Sequence, residues 1–354
     1  MSDRLEPPFG RRDAGGMAAL IEGSPGQIED ALRHAAKEPW KLPVASPDLL
    51  AAGAMGGSAI SADLSRGLYA DRLPRPVLVV RDYRWPACVT PRSLALLSSY
   101  SGDTEETLAL CREAEARGVP RVALTTGGTL EAECGRQGAF FRRLPADMPP
   151  RAALYSSWVA VTTLFAALDW IEDPAPGWRE AAAVLRRQGE SLGPGSPEAR
   201  NPAKQLARAL AGRLLFVYAA RERLGPLATR VRNQLNENAK MLGHSAVAPE
   251  LNHNEIVGWE KPGRRVKSAA ALVLRDAEDS PAVARRLTLT ADYLRRQGAE
   301  VHEIRSSGEG RIARLASLSQ FADWLSFYLA LLAGVDPTPI ASIDEFKRKL
   351  KESA

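Results

Sequence analysis

The stretch Leu94-Ala-Leu-Leu-Ser-Ser-Tyr-Ser-Gly-Asp-Thr-Glu-Glu-Thr107 joins a short apolar run to a turn built around one glycine. The apolar run predicts a buried strand, and the periodic residues 108–117 predict a helix. The turn between them carries four hydroxyl side chains, those of Ser99, Ser101, Thr104 and Thr107. A helix N-terminus attracts anions through its unpaired N–H groups and its dipole, and hydroxyl groups add donors without adding negative charge. This stretch therefore predicts a strand–turn–helix unit that binds the phosphate group of a small metabolite.

The segments around this unit continue the same alternation of strands and helices. Strands are predicted at 76–81, 94–99, 121–126 and 139–144. Helices are predicted at 26–37 and 104–117, and residues 46–52 are interpreted as a helix or turn before a glycine-rich loop. Short glycine-containing loops between such elements favour a parallel sheet that is covered on both faces. The first half of the chain is therefore interpreted as an α/β domain.

The second half repeats this order after a stretch rich in proline and glycine. Residues 172–201 are interpreted as an interdomain connection with one short helix at 179–187. Helices are then predicted at 202–211, 224–242, 281–297, 313–333 and 343–351, strands at 213–219, 269–274 and 300–304, and a loop-rich region up to residue 262. We therefore expect two similar α/β domains, 26–171 and 202–354, behind a mobile N-terminal extension of residues 1–25.

Composition and charge exclude several classes of protein. The chain has 354 residues, of which 45% are hydrophobic and 25% charged, as in a globular protein of two domains or one large one. Its net charge of +5 is small for this length, and no lysine–arginine block indicates a nucleic-acid partner. Three widely spaced cysteines favour reduced thiols in the cytosol, and Cys111 is interpreted as a core residue.

One long apolar stretch has the length of a membrane span. Residues 152–171 are largely apolar, but they include Ser156, Ser157 and Asp169, so a buried helix is favoured over a span. The N-terminus shows no apolar core of a signal peptide. The sequence therefore predicts a cytoplasmic protein with no membrane partner.

A second glycine-rich turn, Gly53-Ala-Met-Gly-Gly-Ser-Ala-Ile-Ser61, precedes the first predicted strand. It matches neither the dinucleotide-binding fingerprint nor a Walker loop. By itself it favours a structural turn between a strand and a helix. Beside the turn at Ser99, it would lie at the carboxyl ends of the strands, where open α/β sheets bind ligands.

Polar residues late in the chain are candidates for acid–base chemistry. Glu237 lies between two asparagines in the helical stretch 233–240, where it is either half of a solvated pair with Lys240 or a residue with a polar function. His253 lies in an irregular segment between asparagines, which favours a positioned acid or base. The four histidines fit no zinc spacing, so no metal site is predicted.

Four motifs together resemble one family: Met55-Gly-Gly-Ser58, Ser99-Tyr-Ser-Gly-Asp-Thr104, Asn236-Glu-Asn-Ala-Lys240 and His253-Asn-Glu255. Over about residues 30–350 the chain is similar to the bifunctional phosphoglucose/phosphomannose isomerases of the sugar isomerase (SIS) superfamily. The resemblance implies two SIS domains, each a five-stranded parallel sheet flanked by helices in a flavodoxin-like or Rossmann-like three-layer sandwich. It also implies a homodimer with active sites at the subunit interface, and no cofactor.

The resemblance also implies roles for residues. The sugar phosphate would be bound by Gly57, Ser58, Ser99, Ser101 and Thr104. Arg151 would lie near the reacting carbons, Glu237 would be the catalytic base, and His253 of the neighbouring subunit would open the sugar ring. Lys347 matches a C-terminal active-site lysine, with Lys349 and Lys351 as rivals.

The implied reaction interconverts glucose 6-phosphate or mannose 6-phosphate with fructose 6-phosphate. One carboxylate moves a proton between C1 and C2 on one face of a cis-enediol. Both C2 epimers require a roomy pocket, for which Thr338 is a candidate residue. The sequence departs from the family pattern at Ala54, where glycine is usual, and at Asp103, where asparagine is frequent.

Two alternatives stay open at the level of the sequence. SIS domains also occur as non-catalytic sugar-phosphate sensors in regulators, although no DNA-binding module is evident here. A related isomerase could act on another sugar phosphate, such as an amino sugar. Activity on the three hexose phosphates separates these hypotheses.

Overall fold

The computed structural model describes residues 4–260 and 268–352, which form two parallel sheets covered by helices. The strands of the first sheet are β1 (Leu50–Ala54), β2 (Val77–Val80), β3 (Leu94–Ser98), β4 (Arg121–Thr125) and β5 (Phe141–Arg143). They lie in the order β2-β1-β3-β4-β5, and every neighbouring pair is parallel. Because β1 and β3 are buried along their whole length, both faces of this sheet are covered, as predicted.

Six helices belong to this half of the chain. They are α1 (Met17–Glu22), α2 (Ser24–Lys37), α3 (Gly56–Leu68), α4 (Glu105–Ala116), α5 (Gly128–Arg136) and α6 (Leu154–Ala167). Helices α3, α4 and α5 each follow a strand after a short turn. Their N-termini therefore meet at the carboxyl edge of the sheet, where the two glycine-containing turns also lie.

Strand β1 corrects one prediction. Residues 46–52 were expected to form a helix or turn, but Leu50–Ala54 is a strand between β2 and β3. Its sequence, Leu-Ala-Ala-Gly-Ala, has none of the β-branched or aromatic residues that favour strands. Burial inside the sheet, which local propensity does not report, determines its conformation.

The second sheet has four strands within the described residues. They are β6 (Leu214–Ala220), β7 (Gly243–Ala248), β8 (Ala269–Arg275) and β9 (Glu300–Arg305), in the parallel order β7-β6-β8-β9. The resemblance implied five strands, and the loop-rich region predicted after residue 242 contains the edge strand β7. This strand was missed because it is half-exposed and composed largely of glycine, serine and alanine.

The helices of the second half are α7 (Ala175–Leu192), α8 (Pro202–Leu210), α9 (Arg221–Glu237), α10 (Pro281–Arg296), α11 (Arg311–Ala333) and α12 (Ala341–Glu352). Strands β6, β7, β8 and β9 occupy the places of β1, β2, β3 and β4 in their sheets. Helices α3 and α9 likewise follow the equivalent strands β1 and β6. The common connectivity is the one expected of a duplicated α/β unit.

Two segments predicted to lie outside the domains are part of the packed structure. Helix α7 spans 18 residues, twice the length of the helix predicted at 179–187. It packs against α2 and α11, and its Trp178 is fully buried. The N-terminal residues from 4 onward also pack, rather than extending as a mobile segment. Leu5 is fully buried, and the ring of Phe9 lies edge-on to Phe327 at 5.3 Å.

Two apolar helices form the centre of the molecule. Helix α6 is buried, as predicted for residues 152–171. Among the described residues, one helix, α11, is long and apolar enough to cross a membrane. However, 89% of its apolar stretch is buried inside the protein, and the buried residues include Gln320 and Asp323. Helix α11 therefore has the character of a core helix.

Candidate active site

The turn after β3 is ordered by its own hydroxyl groups. The Ser99 hydroxyl lies 2.8 Å from that of Thr104 and accepts the amide of Gly102 at 3.1 Å. Gly102 has φ +76°, and a Cβ atom there would overlap the carbonyl oxygen of Gly127. Only glycine fits this position, because it permits both the left-handed backbone and the close approach. The result is a compact loop leading into the N-terminus of α4, as an anion site requires.

Asp103 is directed away from the centre of this loop. Its Oδ1 accepts the amide of Thr129 at 2.9 Å and the hydroxyl of the same residue at 2.7 Å. The carboxylate therefore caps the N-terminus of α5, where negative charge is favourable. This contact explains how the departure from the family pattern is accommodated beside a predicted phosphate site.

The glycine-rich turn after β1 contacts the hydroxyl-rich turn. Ser58 lies in the first turn of α3, and its hydroxyl accepts the amide of Tyr100 at 3.1 Å. On the other side, a Cβ atom on Gly57 would lie 3.3 Å from the carbonyl carbon of Pro150 and 3.4 Å from the amide of Arg151. The structure thus brings four predicted ligand residues to one edge of the sheet, next to the backbone of Arg151; the fifth, Ser101, is exposed in the same turn.

The guanidinium group of Arg151 is held by contacts on all three of its nitrogens, and the residue is only 3% exposed. Its Nε donates to Oδ1 of Asn238 at 2.7 Å, and one terminal nitrogen donates to the carbonyls of Pro337 and Thr338 at 2.7 and 2.8 Å. The other terminal nitrogen lies 3.5 Å from a carboxylate oxygen of Glu237. Burial lowers the pKa of Arg151, and the charge of Glu237 opposes this shift.

Glu237 is the last residue of α9, and the chain reverses direction just beyond it. Asn238 is fully buried and donates to Ser326 at 2.9 Å, which anchors the helix end. Lys240 has φ +55°, and its ammonium donates to the carbonyls of Glu237 at 2.5 Å and Pro339 at 2.7 Å. The alternative that Glu237 and Lys240 form a solvent-exposed ion pair is therefore wrong. The ammonium of Lys240 binds main-chain oxygens, whereas the carboxylate of Glu237 lies beside Arg151.

A buried polar group behind Arg151 was missed by the sequence analysis. Arg230 of α9 pairs with Asp323 of α11 at 2.7 Å, and Gln234 donates to the same carboxylate at 2.5 Å. Arg230 also donates to the main-chain oxygen of Arg151 at 3.4 Å. The sequence carries a partial signal, because positions 319, 323 and 326 are polar and are spaced four and three residues apart on a largely apolar helix. This spacing indicates a polar stripe but does not identify its partner on α9.

Two predicted residues are exposed and are not bonded to this group in the described part of the chain. His253 is exposed at the end of a single 3₁₀ turn, Glu250–His253, which follows β7. Lys347 is exposed on α12, whose Ile343, Phe346 and Leu350 are exposed as well. Within the described residues of one chain, the turns, Arg151 and Glu237 come together, whereas His253 and Lys347 make no hydrogen bond or ion pair with them.

Possible metal ligands do not cluster in the described part of the chain. Over residues 4–260 and 268–352, no three His, Cys, Asp or Glu side chains come together as a metal site would require. Thr338 lies next to Arg151 through its carbonyl, and its buried hydroxyl has no hydrogen-bond partner among these residues.

Comparison with known proteins adds independent information. The family model for the bacterial phospho-glucose isomerase C-terminal SIS domain matches residues 199–350. The bifunctional phosphoglucose/phosphomannose isomerase of Caldicellulosiruptor bescii is 39% identical over 298 residues, 84% of this chain and 88% of that protein. The enzyme of the same name from Aquifex aeolicus is 31% identical over 302 residues, 85% of this chain and 89% of that protein.

Solved structures support the fold. A glucose-6-phosphate isomerase like protein from Thermus thermophilus aligns with a TM-score of 0.63 at 22% identity, over 96% of this chain and 99% of that one. A putative phosphosugar isomerase from Silicibacter pomeroyi aligns with a TM-score of 0.69 at 18% identity, over 91% and 99%. At these identities the likeness concerns the two-sheet architecture alone.

Proposed function

Since the chain belongs to the bifunctional phosphoglucose/phosphomannose isomerase family, we propose that it interconverts glucose 6-phosphate and mannose 6-phosphate with fructose 6-phosphate. The reaction is an aldose–ketose isomerisation through a cis-enediol. The observation that carries the proposal is the contact between Arg151 and Glu237, beside a turn suited to phosphate. It joins a carboxylate base, a cation and an anion site at one sheet edge.

We assign the phosphate to the two turns at the carboxyl edge of the first sheet. The amides at the start of α4 and the hydroxyls of Ser58, Ser101 and Thr104 supply donors. Because Asp103 is held by Thr129, its charge is partly compensated at the N-terminus of α5 rather than aimed at the ligand. This arrangement lets a dianion bind without an arginine in the turn.

We assign the proton transfer to Glu237. Its carboxylate is partly exposed, whereas Arg151 beside it is buried and fixed by three acceptors. Arg151 is thus positioned to stabilise the oxygen that gains negative charge as the enediolate forms. Glu237 keeps access to the space in front of Arg151, where it can take a proton from C2 and return it to C1.

Ring opening needs a proton donor and an acceptor, roles that we give to His253 and Lys347. Since neither side chain bonds to Glu237 among the described residues, and both are exposed, we propose a homodimer in which a second copy completes each site. The exposed apolar residues of α12 are consistent with a helix that packs in an assembly. We keep Thr338 as the candidate for the room needed by both C2 epimers, because its carbonyl accepts from Arg151 at 2.8 Å. Its side chain packs against Gly15.

The test is the variant Glu237→Gln, assayed on all three hexose phosphates in both directions. We expect a loss of turnover of about a thousandfold or more with binding of fructose 6-phosphate retained, because the amide keeps the shape but cannot accept a proton. Glu222→Gln, near the start of the same helix, is the matched control and should keep full turnover. Near-wild-type turnover in Glu237→Gln would refute the assignment. Binding without turnover by the wild-type protein would instead indicate a sensor.

A further inference from the structure

A cavity of about 290 Å³ lies outside the candidate active site, between α2, the end of β5 and the first turns of α6. Its walls are mainly apolar and include Ala31, Leu144 and Ala160. Two buried polar residues, Arg142 and Ser156, also line it. The exposed residues at its edge are Asp30, His34 and Arg143. The volume is at the small end of the range for ligand pockets in proteins, and none of these residues takes part in the reaction proposed above.

Arg142 brings a buried positive charge to this cavity. It is 3% exposed, and among the described residues no carboxylate lies within ion-pair distance of its guanidinium. One terminal nitrogen donates to the carbonyl of Glu38 at 2.6 Å, and the guanidinium lies 4.4 Å from the ring centre of Trp40. Burial lowers the pKa of Arg142 to about 10, so the side chain is still charged at neutral pH. A buried charge of this kind is costly without an anionic partner.

Two residues that line the cavity each carry a buried donor that is unused. Nε of Arg142 and Oγ of Ser156 have no hydrogen-bond partner in the described chain, and Ser156 is 3% exposed. The neighbouring Ser157 behaves differently, because its hydroxyl donates to the carbonyl of Leu154 at 2.9 Å. A serine hydroxyl in this helix can therefore donate to a main-chain carbonyl one turn earlier, but the hydroxyl of Ser156 does not. Unsatisfied buried donors cost free energy that a ligand recovers by accepting from them.

We propose that this cavity binds a small organic carboxylate with a compact apolar body. On binding, small side-chain rotations bring Nε of Arg142 and the hydroxyl of Ser156 to the cavity surface, and each donates to one carboxylate oxygen. The body of the ligand packs against Ala31, Leu144 and Ala160. A carboxylate matches two donors, and its pairing with arginine is charge-assisted. A free phosphate, which has more oxygens to satisfy and no apolar surface, fits this donor set and these walls less well.

Benzoate is the probe, titrated by calorimetry into the full-length protein with fructose 6-phosphate present. We expect one site per chain with a Kd of about 1 mM or below, and binding of benzyl alcohol at least about tenfold weaker. Displacement of benzoate by fructose 6-phosphate would overturn the proposal, because it would place the probe in the active site. Equal binding of the neutral alcohol, or no saturable binding up to about 20 mM, would overturn it too.

Paired variants locate the site. Ser156→Ala should weaken benzoate binding about three- to tenfold, while the adjacent Ser157→Ala, the matched control, should leave it unchanged. Arg142→Gln should weaken it further, and Ala160→Phe, which fills the cavity, should abolish it. Isomerase activity of each variant reports whether the protein is folded. If folded Ser156→Ala binds benzoate as well as Ser157→Ala does, the proposal is wrong, whatever the fate of the isomerase assignment.

Discussion

The turn after β3 and the turn after β8 occupy the same place in their two sheets, yet they are built from opposite chemistry. The first, residues 99–104, presents hydroxyls and glycine, and Thr129 holds its one carboxylate. The second, residues 276–280, presents Asp276 and Glu278, which pair with arginines of the same chain. In this duplicated fold, the proposed anion site of the first half is open, whereas the equivalent turn of the second half is closed by ion pairs with its own chain.

The second turn also joins the two halves. Asp276 is buried and accepts from Nε of Arg314 at 2.9 Å and from the hydroxyl of Ser306 at 2.7 Å. Arg311 reaches from Glu278 at 3.1 Å to Asp71, beyond the end of α3, at 2.8 Å. The first turn is thus the proposed ligand site, whereas the ion pairs of the second turn hold the two halves together.

The largest effect concerns Glu237 and His253 of the second half, which the proposed dimer brings together from different subunits. Glu237→Gln and His253→Ala should each be nearly inactive alone. Mixed under exchange conditions in equal amounts, they should regain about one quarter of wild-type activity, because half the dimers then hold one intact site of two. Activity against mixing ratio is the measurement. If the mixture stays inactive although hybrid dimers form, His253 acts within its own chain or not at all.

Making the first turn resemble the second is the next test. Ser101→Asp should raise KM for fructose 6-phosphate about a hundredfold, because a carboxylate then faces the substrate phosphate. The melting temperature should stay close to that of the wild type, since Ser101 is exposed. Ser101→Asn is the neutral control and should change KM by less than about threefold. Equal effects of Asp and Asn would mean that charge in this turn is irrelevant.

Weakening the second turn should lower the stability of the protein and leave its catalytic activity almost unchanged. Arg314→Gln leaves the buried Asp276 without its close partner, which should lower the free energy of unfolding by about 3 kcal/mol. Urea unfolding measures this, and kcat/KM of the folded variant should stay within about twofold of wild type. The control Arg305→Gln removes an exposed ion pair with Glu303 and should cost less than about 1 kcal/mol.

The smallest effect is on acid stability. Burial alone would raise the pKa of Asp276, but the hydroxyl of Ser306, the amide of Glu278 and Arg314 together lower it below 3.8. Between the lowered and the ordinary pKa, the unfolded chain binds more protons than the folded one. The stabilisation that the ionised Asp276 contributes is therefore full above the ordinary pKa, and it is lost as the pH falls through the lowered value. Asp276→Asn should show a shallower loss of unfolding free energy below about pH 4. An unchanged slope would place the titrating group elsewhere.

Sequence patterns predicted the parts of the fold that depend on local signals. The strands at 94–99 and 121–126 and the helix that begins at the hydroxyl-rich turn were confirmed. Strand β1 and the edge strand β7 were missed, because small residues carry little strand preference and burial decides their state. The length of α7 was underestimated because Pro174, Pro176 and Gly177 at its start signal a loop, although proline is tolerated in a first helical turn.

The candidate site was predictable only in part, for a related reason. The turns and Glu237 lie in recognisable motifs, and their mutual placement follows from the sheet edge. The pair of Arg230 with Asp323 joins positions 93 residues apart, and no local pattern reports such a contact. The exposure of His253 and Lys347 likewise depends on the tertiary packing of the elements that carry them, and local sequence patterns do not report tertiary packing.

The three glycines where the turns after β3 and β4 meet also bear on how such a protein can change over time. A side chain on Gly102 would strike Gly127, and one on Gly128 would strike the carbonyl of Ser101. Since these contacts are to backbone atoms, no single substitution at a neighbour relieves them. Laboratory evolution towards new sugar phosphates should therefore find its gains at positions 101, 103 and 338, while positions 102 and 128 stay glycine in every surviving clone.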